Sequence, residues 1–440
     1  MVYIYTSSEN TKRLNYIAQY IFNHILGIEF VITSDKKSYL AQSNPCINYS
    51  ETELNHGLHI VPHGLLFESG IKPIKQLKET EWKGLFCFFE NKNGDIPFDL
   101  FAAAFYLLTL YEENFPLELD KHGRFRHAES LLFQKGILEI PIVDRWAYLL
   151  KEELENAGFQ TNDFKLREFK TISTFDIDYP FLYRYKGLIK NSIGILKNLL
   201  KGKFCKIKEQ ILTLLRLKED PYLAALKTIQ EIQTQLKKSY YLFVLLGKRG
   251  KYGRTTVYSP KKYYSYLKSL DSAQIGLHPS YDTLRNLKNL LKEKNKLEQI
   301  LDSKITASRQ HFLRMQSPET FQELNLAGIK EDFTLAFAQA PGFRSGTAVP
   351  YFFYDLQKEE TTSLFIRPTV MMDSSFIFHL KLTPEEALMQ MKKLADACKQ
   401  SGGDYLSLWH NSNLAHTAQA NPRISVFIQS YQYAISLENH

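Results

Sequence analysis

The chain has 440 residues and a mass of 51.2 kDa, room for roughly two or three domains at about 150 residues each. Hydrophobic residues make up 44% and charged residues 23%, which excludes a disordered or fibrous protein. The formal charge of +8 is local: residues 184–218 carry ten Lys/Arg against one acid, Glu209, and the rest of the chain holds 45 bases and 46 acids. A chain that is near neutral elsewhere and lacks a recognisable reading module is not a general nucleic-acid binder, and no nucleic acid is expected as a partner.

No apolar run is long enough for a transmembrane helix. The N-terminus, MVYIYTSSENTKRL, lacks the basic start, apolar run and small-residue cleavage site of a signal peptide. The cysteines Cys46, Cys87, Cys205 and Cys398 form no CxxC pair. The expectation is a cytoplasmic chain with reduced thiols, neither a disulfide scaffold nor a zinc ribbon.

In chain order, 2–6 reads as a strand and 11–25 as an amphipathic helix. Apolar runs follow at 45–48, 58–61 and 84–89. A helix is predicted over 97–113, with Pro97 and Asp99 at its start. A strand-like stretch at 137–142 precedes a helix over 143–157. Residues 1–165 thus predict an N-terminal α/β domain of unknown role. From 166 to 440 strand-like runs at 169–178, 240–247, 273–280, 304–313, 327–338, 364–371 and 404–411 alternate with helices at 220–237, 258–270, 283–301 and 383–401. That alternation predicts a barrel-like or wound α/β domain with a basic helical insertion over about 182–237.

The polar residues of interest fall at strand ends. Asp176 and Asp178 end one strand and His278 another, Arg309 and His311 lie in a third, and His410 and Asn411 end the last. In parallel α/β folds these ends converge on one mouth. Asp and His ligands with an open position suit a divalent metal and metal-assisted hydrolysis. At a frayed strand end two acids at i and i+2 can reach one site, one as ligand and one as general base. A further His can then protonate the leaving group.

The segments STFDIDYP, IGLHPSYD, ASRQHFLR, GFRSGT and LSLWHN resemble, in order, the motifs of polysaccharide deacetylases, the NodB-type carbohydrate esterases. PFDLFAAAFYLLTLYEE and DKHGRFRHAES resemble a bacterial subgroup of them with an uncharacterised N-terminal domain. The resemblance implies a distorted (β/α), TIM-like barrel and a hydrolase that removes N-acetyl groups from an amino sugar of a surface glycan or its precursor. It implies Asp176 as catalytic base, Asp178 and His278 as metal ligands, His410 as general acid and Arg309 as the residue orienting the base. The implied cofactor is a divalent metal, Zn²⁺ first and Co²⁺ or Mn²⁺ next, and the implied partner an N-acetylated carbohydrate. One departure stands out. Four residues after His278, where the family places a second metal His, this chain has Asp282. Either Asp282 or His311 completes the ligand set, and His311 is preferred for its place in a strand-end motif. Without a complete set, a non-catalytic glycan-binding or assembly protein on the same scaffold is the alternative; an O-acetyl esterase is another.

Three residues remain as substrate contacts. Arg344 in GFRSGT could meet a carboxylate or oxyanion, or mark a tight turn. Trp409 could stack on a sugar or pack in the core. Asn411 adjoins His410. GKRGKYGR (247–254) lacks the phosphate-loop pattern and reads as a turn. The basic stretch 184–218 is either a peripheral contact with an anionic membrane face or a solvated insertion.

Overall fold

The computed structural model describes residues 1–43, 46–248, 252–253, 261–270, 272–416 and 421–438. Part of the 247–254 turn and the first residues of the 258–270 helix lie outside them.

Near the N-terminus, β1 (Val2–Thr6), β2 (Phe30–Thr33), β3 (Cys46–Tyr49) and β4 (Leu58–Ile60) form a parallel sheet in the order β2-β1-β3-β4. The segment joining β1 to β2 is helical, as its apolar spacing requires, but it widens from an α-helix over Lys12–Ala18 into a π-helix over Gln19–Ile25. Thr11 starts it by accepting the Leu14 backbone N–H at 3.1 Å. An antiparallel pair, β5 (Glu79–Trp82) and β6 (Leu85–Phe88), follows. The helix Leu100–Leu108 is buried along its whole length, the only stable setting for LFAAAFYLL. The stretch 137–142 is not a strand: Ile140 N–H closes a turn on the Ile137 carbonyl at 2.9 Å, and the helix Ile142–Asn156 starts just after Pro141.

The second sheet has nine strands: β7 (Lys170–Ile177), β8 (Tyr240–Leu245), β9 (Ala273–His278), β10 (Ala307–Ser308), β11 (Glu331–Asp332), β12 (Tyr351–Asp355), β13 (Glu360–Ile366), β14 (Met371–Met372) and β15 (Asp404–His410). Their order is β12-β13-β11-β10-β9-β8-β7-β15-β14. Every pairing is parallel except the β12–β13 hairpin. The central strands read as near-continuous buried runs, YYLFVL in β8 above all, as a sheet covered on both faces demands. The expected barrel is not closed: among the described residues the edges β12 and β14 do not pair. The sheet nonetheless curls. Thr369 N–H donates to the Leu335 carbonyl at 2.9 Å and Val370 N–H to the Leu406 carbonyl at 3.0 Å, so the backbone before β14 bridges the end of β11 to β15.

The GFRSGT loop joins the N-terminal part to this sheet. Gly342, at φ +131°, lies so close to Leu138 that a Cβ would sit 2.4 Å from its carbonyl oxygen. Phe343 N–H donates to that same oxygen at 2.7 Å. The buried Asp144 accepts the Thr347 hydroxyl at 2.5 Å and the Ala348 N–H at 2.9 Å. The insertion is helical as predicted, with helices over Leu188–Leu200, Phe204–Leu214 and Pro221–Gln235. No helix among the described residues is long and apolar enough to cross a membrane.

Candidate active site

Parallel pairing sets the site. In register, His410 of β15 lies beside Asp176 of β7, and His278 ends β9 opposite Leu245 of β8. Four carboxyl ends therefore open on one side of the sheet, into a cleft of about 440 Å³. Its floor holds Asp176, Asp178, His278, His311 and His410. Lys121, His122 and Arg124 reach its lip from the N-terminal part.

Asp178, His278 and His311 each offer one ligand atom, all within 4.8 Å of one another. Asp178 Oδ1 is 3.1 Å from His278 Nε2 and 3.5 Å from His311 Nε2. His278 Nδ1 lies 2.5 Å from the Arg309 carbonyl. Such a partner fixes the N–H on Nδ1 and leaves the Nε2 lone pair facing the carboxylate, the arrangement of a metal-ligating histidine. Asp178 Oδ1 is buried without a hydrogen-bond partner. An orphaned carboxylate oxygen aimed at two imidazole nitrogens fits a divalent cation. Without a cation, burial would raise the Asp178 carboxyl, but the protonated forms of His311, His278 and His410 around it hold it well below the usual carboxylate range; a cation in the cluster would take the place of those imidazole protons. The group is thus ionised and ready to ligate.

His311 reaches the cluster by a turn, not a strand. The run 304–313 contains only the two-residue β10; after it His311 N–H donates to the Pro279 carbonyl at 3.1 Å. Phe312 and Leu313 then adopt left-handed φ angles of +65° and +48°, costing about 1–3 kcal/mol each for non-glycine residues. Phe312 packs edge-on against the His311 ring, with centroids 4.6 Å apart.

Asp176 and Arg309 form a second unit. Arg309 is fully buried, and its Nη1 donates to Asp176 Oδ1 at 3.0 Å. Its Nε donates to the Phe333 carbonyl at 3.0 Å, and the guanidinium lies over the Phe243 ring at 4.6 Å. These contacts fix the carboxylate while Oδ2 remains 3.6 Å from His278 Nε2.

A third unit contains a residue that the sequence reading missed. Asp373 Oδ1 lies 2.7 Å from His410 Nδ1, and its Oδ2 accepts the His410 backbone N–H at 2.9 Å and Asn413 Nδ2 at 3.0 Å. Burial opposes a charged His410, but Asp373, Asp178 and Asp176 override it and push the imidazole pKa up to about 10. His410 Nε2 points inward, 4.0 Å from Asp178 Oδ2. Asp373 lies directly after the short strand β14; the rule that singles out Asp176, an acid at a strand's carboxyl end, finds it too.

The other four expected residues lie elsewhere. Asp282 is exposed on the one-turn helix Tyr281–Thr283 and does not join the cluster. Arg344 is buried away from the cleft in a bidentate pair with Glu113, at 2.8 and 2.7 Å. Trp409 packs edge-on against Phe427 in the core. Asn411 is fully buried, its amide donating to the Tyr179 carbonyl at 3.0 Å. Arg344, Trp409 and Asn411 are spent on packing or internal pairing, and Asp282 stands exposed outside the Asp178–His278–His311 cluster.

Residues 2–158 match the model of a family of unknown function, DUF7033. No curated protein matches the chain. Among solved structures, a putative polysaccharide deacetylase from Mycobacterium smegmatis aligns at 13% identity and a TM-score of 0.37, over 60% of this chain and 82% of its own. Puue allantoinase aligns at 9% identity and 0.39, over 61% and 84%. A polysaccharide deacetylase from Bacillus cereus aligns at 10% and 0.28, over 60% and 87%. At these scores the likenesses carry no argument about what the chain does.

Proposed function

We propose that the chain is a metal-dependent hydrolase that cleaves the amide of an N-acetylated amino sugar. One observation carries the reading. Asp178, His278 and His311 form a ligand cluster at the floor of a cleft, between a buried Asp–Arg pair and a buried His–Asp pair. His311 supplies the ligand left uncertain by the missing second His, which favours a catalyst over a non-catalytic binding protein. The substrate class comes from the motif resemblance.

A divalent cation on Asp178, His278 and His311 would polarise the substrate carbonyl and make water more acidic. The chain's own residues do the rest. Asp176, held by Arg309, takes a proton from the attacking water. His410 enters protonated and donates from Nε2 to the departing nitrogen, while Asp373 holds Nδ1 and balances the charge. The carbonyl carbon gains an oxygen and loses the amine, so acetate and a free amino sugar leave. Lys121 at the lip gives the cleft a cationic rim.

Acetate release from N-acetylglucosamine oligomers, assayed with added Zn²⁺, Co²⁺ or Mn²⁺, tests this. Asp176→Asn should abolish turnover with metal still bound. Turnover retained in that variant refutes the role given to Asp176.

A further inference from the structure

The insertion after β7 is inside-out. A helical hairpin in water pairs apolar faces and exposes polar ones. Here the seam between Leu188–Leu200 and Phe204–Leu214 is polar. Asn191, Glu209, Gln210 and Thr213 are buried in it. Gln210 Nε2 donates to Asn191 O at 3.1 Å and Oδ1 at 3.0 Å, and Tyr183 and Lys218 both bond Glu209. Six of the seven apolar side chains of the first helix are exposed instead, Ile195 being half-buried. Leu188 is 88% exposed, Ile189 78%, Ile193 61%, Leu196 56% and Leu200 80%. At about 100° per residue these positions, with Leu199, fall within an arc of about 140°. Lys190, Lys197 and Lys201, all exposed, border it at about 180–220° on the same wheel.

The hairpin is held in this orientation. The buried Asp220 carboxylate accepts the backbone N–H groups of Leu182, Tyr183 and Arg184 at 2.7, 2.9 and 3.0 Å. The outward face is therefore a fixed property of the fold.

We infer that this face docks on an anionic lipid bilayer. Both helices are too short to span one, which leaves the interface plane. There the leucines and isoleucines enter the acyl boundary and the bordering lysines meet lipid phosphates. Charge argues against a second copy of the chain as the occupant. Two copies meeting here would bring two segments of ten bases and one acid together, and the near-neutral remainder offers no matching acidic excess. The hairpin follows Asp178 by ten residues, so docking holds the cleft near the membrane. The inference rests on the hairpin alone and stands whether or not the cleft hydrolyses amides.

Sedimentation of the full chain with vesicles tests it. An equimolar mixture of phosphatidylglycerol and phosphatidylcholine should bind at least about tenfold more tightly than phosphatidylcholine alone, with binding falling as salt rises. Ile189→Ser/Ile193→Ser/Leu196→Ser should weaken binding at least about tenfold with an unchanged melting temperature, because the side chains removed are solvent-exposed. Lys190→Gln/Lys197→Gln/Lys201→Gln should weaken it on the order of a hundredfold, about fivefold per base. No binding of the wild type to phosphatidylglycerol vesicles overturns the inference. So does undiminished binding by the apolar triple variant. So does a wild-type dimer that becomes monomeric in that variant without vesicle binding, which would give the face to a second copy.

Discussion

Arg344→Ala separates an internal role from a ligand-binding one. Arg344 and Glu113 are 2% and 4% exposed, and the guanidinium donates to both carboxylate oxygens. Its third contact is the Ala336 carbonyl at 2.9 Å, and it stacks over Phe337 at 4.7 Å. Truncation leaves the Glu113 carboxylate buried beside no cation. Removing one partner of a buried pair costs about 3–5 kcal/mol, and the geometry here, bidentate and dry, places the expected loss near the middle of that range. Replacing both partners by apolar residues of similar size, Arg344→Met with Glu113→Leu, removes the stranded charge and should recover most of the loss. Urea unfolding followed by tryptophan fluorescence, run as a double-mutant cycle, measures both quantities. Metal affinity of the folded Arg344→Ala chain should not change. A loss below about 1 kcal/mol, the range of exposed pairs, refutes the reasoning. So does unchanged stability with weakened substrate or metal binding.

Asp373→Asn removes the charge that keeps His410 protonated; turnover should fall on the order of a hundredfold at unchanged metal affinity, checked by steady-state kinetics beside metal titration. Asp144, buried and with its carboxyl raised from 3.8 to about 7, holds a proton in the folded chain that the unfolded chain releases. Its stabilising contribution is complete below about pH 4 and is lost as pH rises to about 7. Urea midpoints of Asp144→Asn across that window should therefore decline less steeply than those of the wild type. Asp220→Ala strands four backbone donors at the base of the hairpin, those of Leu182, Tyr183, Arg184 and Tyr222, at about 1–3 kcal/mol for each left buried; limited proteolysis should then cut within 184–218 faster, with metal affinity retained.

The sheet and much of the site are legible in the sequence because both follow short-range rules. Buried parallel strands read as apolar runs, and acids or histidines ending them mark the mouth; β7, β8, β9 and β15 were found this way. The rule fails where apolar residues pack without a ladder. Ile137 and Ile140 support a turn against the GFRSGT loop, and 304–313 spends two residues in β10 before its left-handed turn carries His311 to Asp178. Arg344 and Asn411 show a second limit. Their partners, Glu113 and the Tyr179 carbonyl, lie 231 and 232 residues away, so only the tertiary fold decides that they serve packing. The helix Pro422–Glu438, which packs on β7, and the edge strand β12 were not anticipated, and of β13 only its last residues fall in the predicted run 364–371.

Zinc titration of the metal-stripped wild type, beside His278→Ala, His311→Ala and Asp282→Ala, tests the central claim most directly. One zinc ion per chain is expected in the wild type and in Asp282→Ala, with uptake lost in both histidine variants. No uptake by the wild type, or uptake by the two histidine variants equal to that of the wild type, would contradict a metal site built from Asp178, His278 and His311.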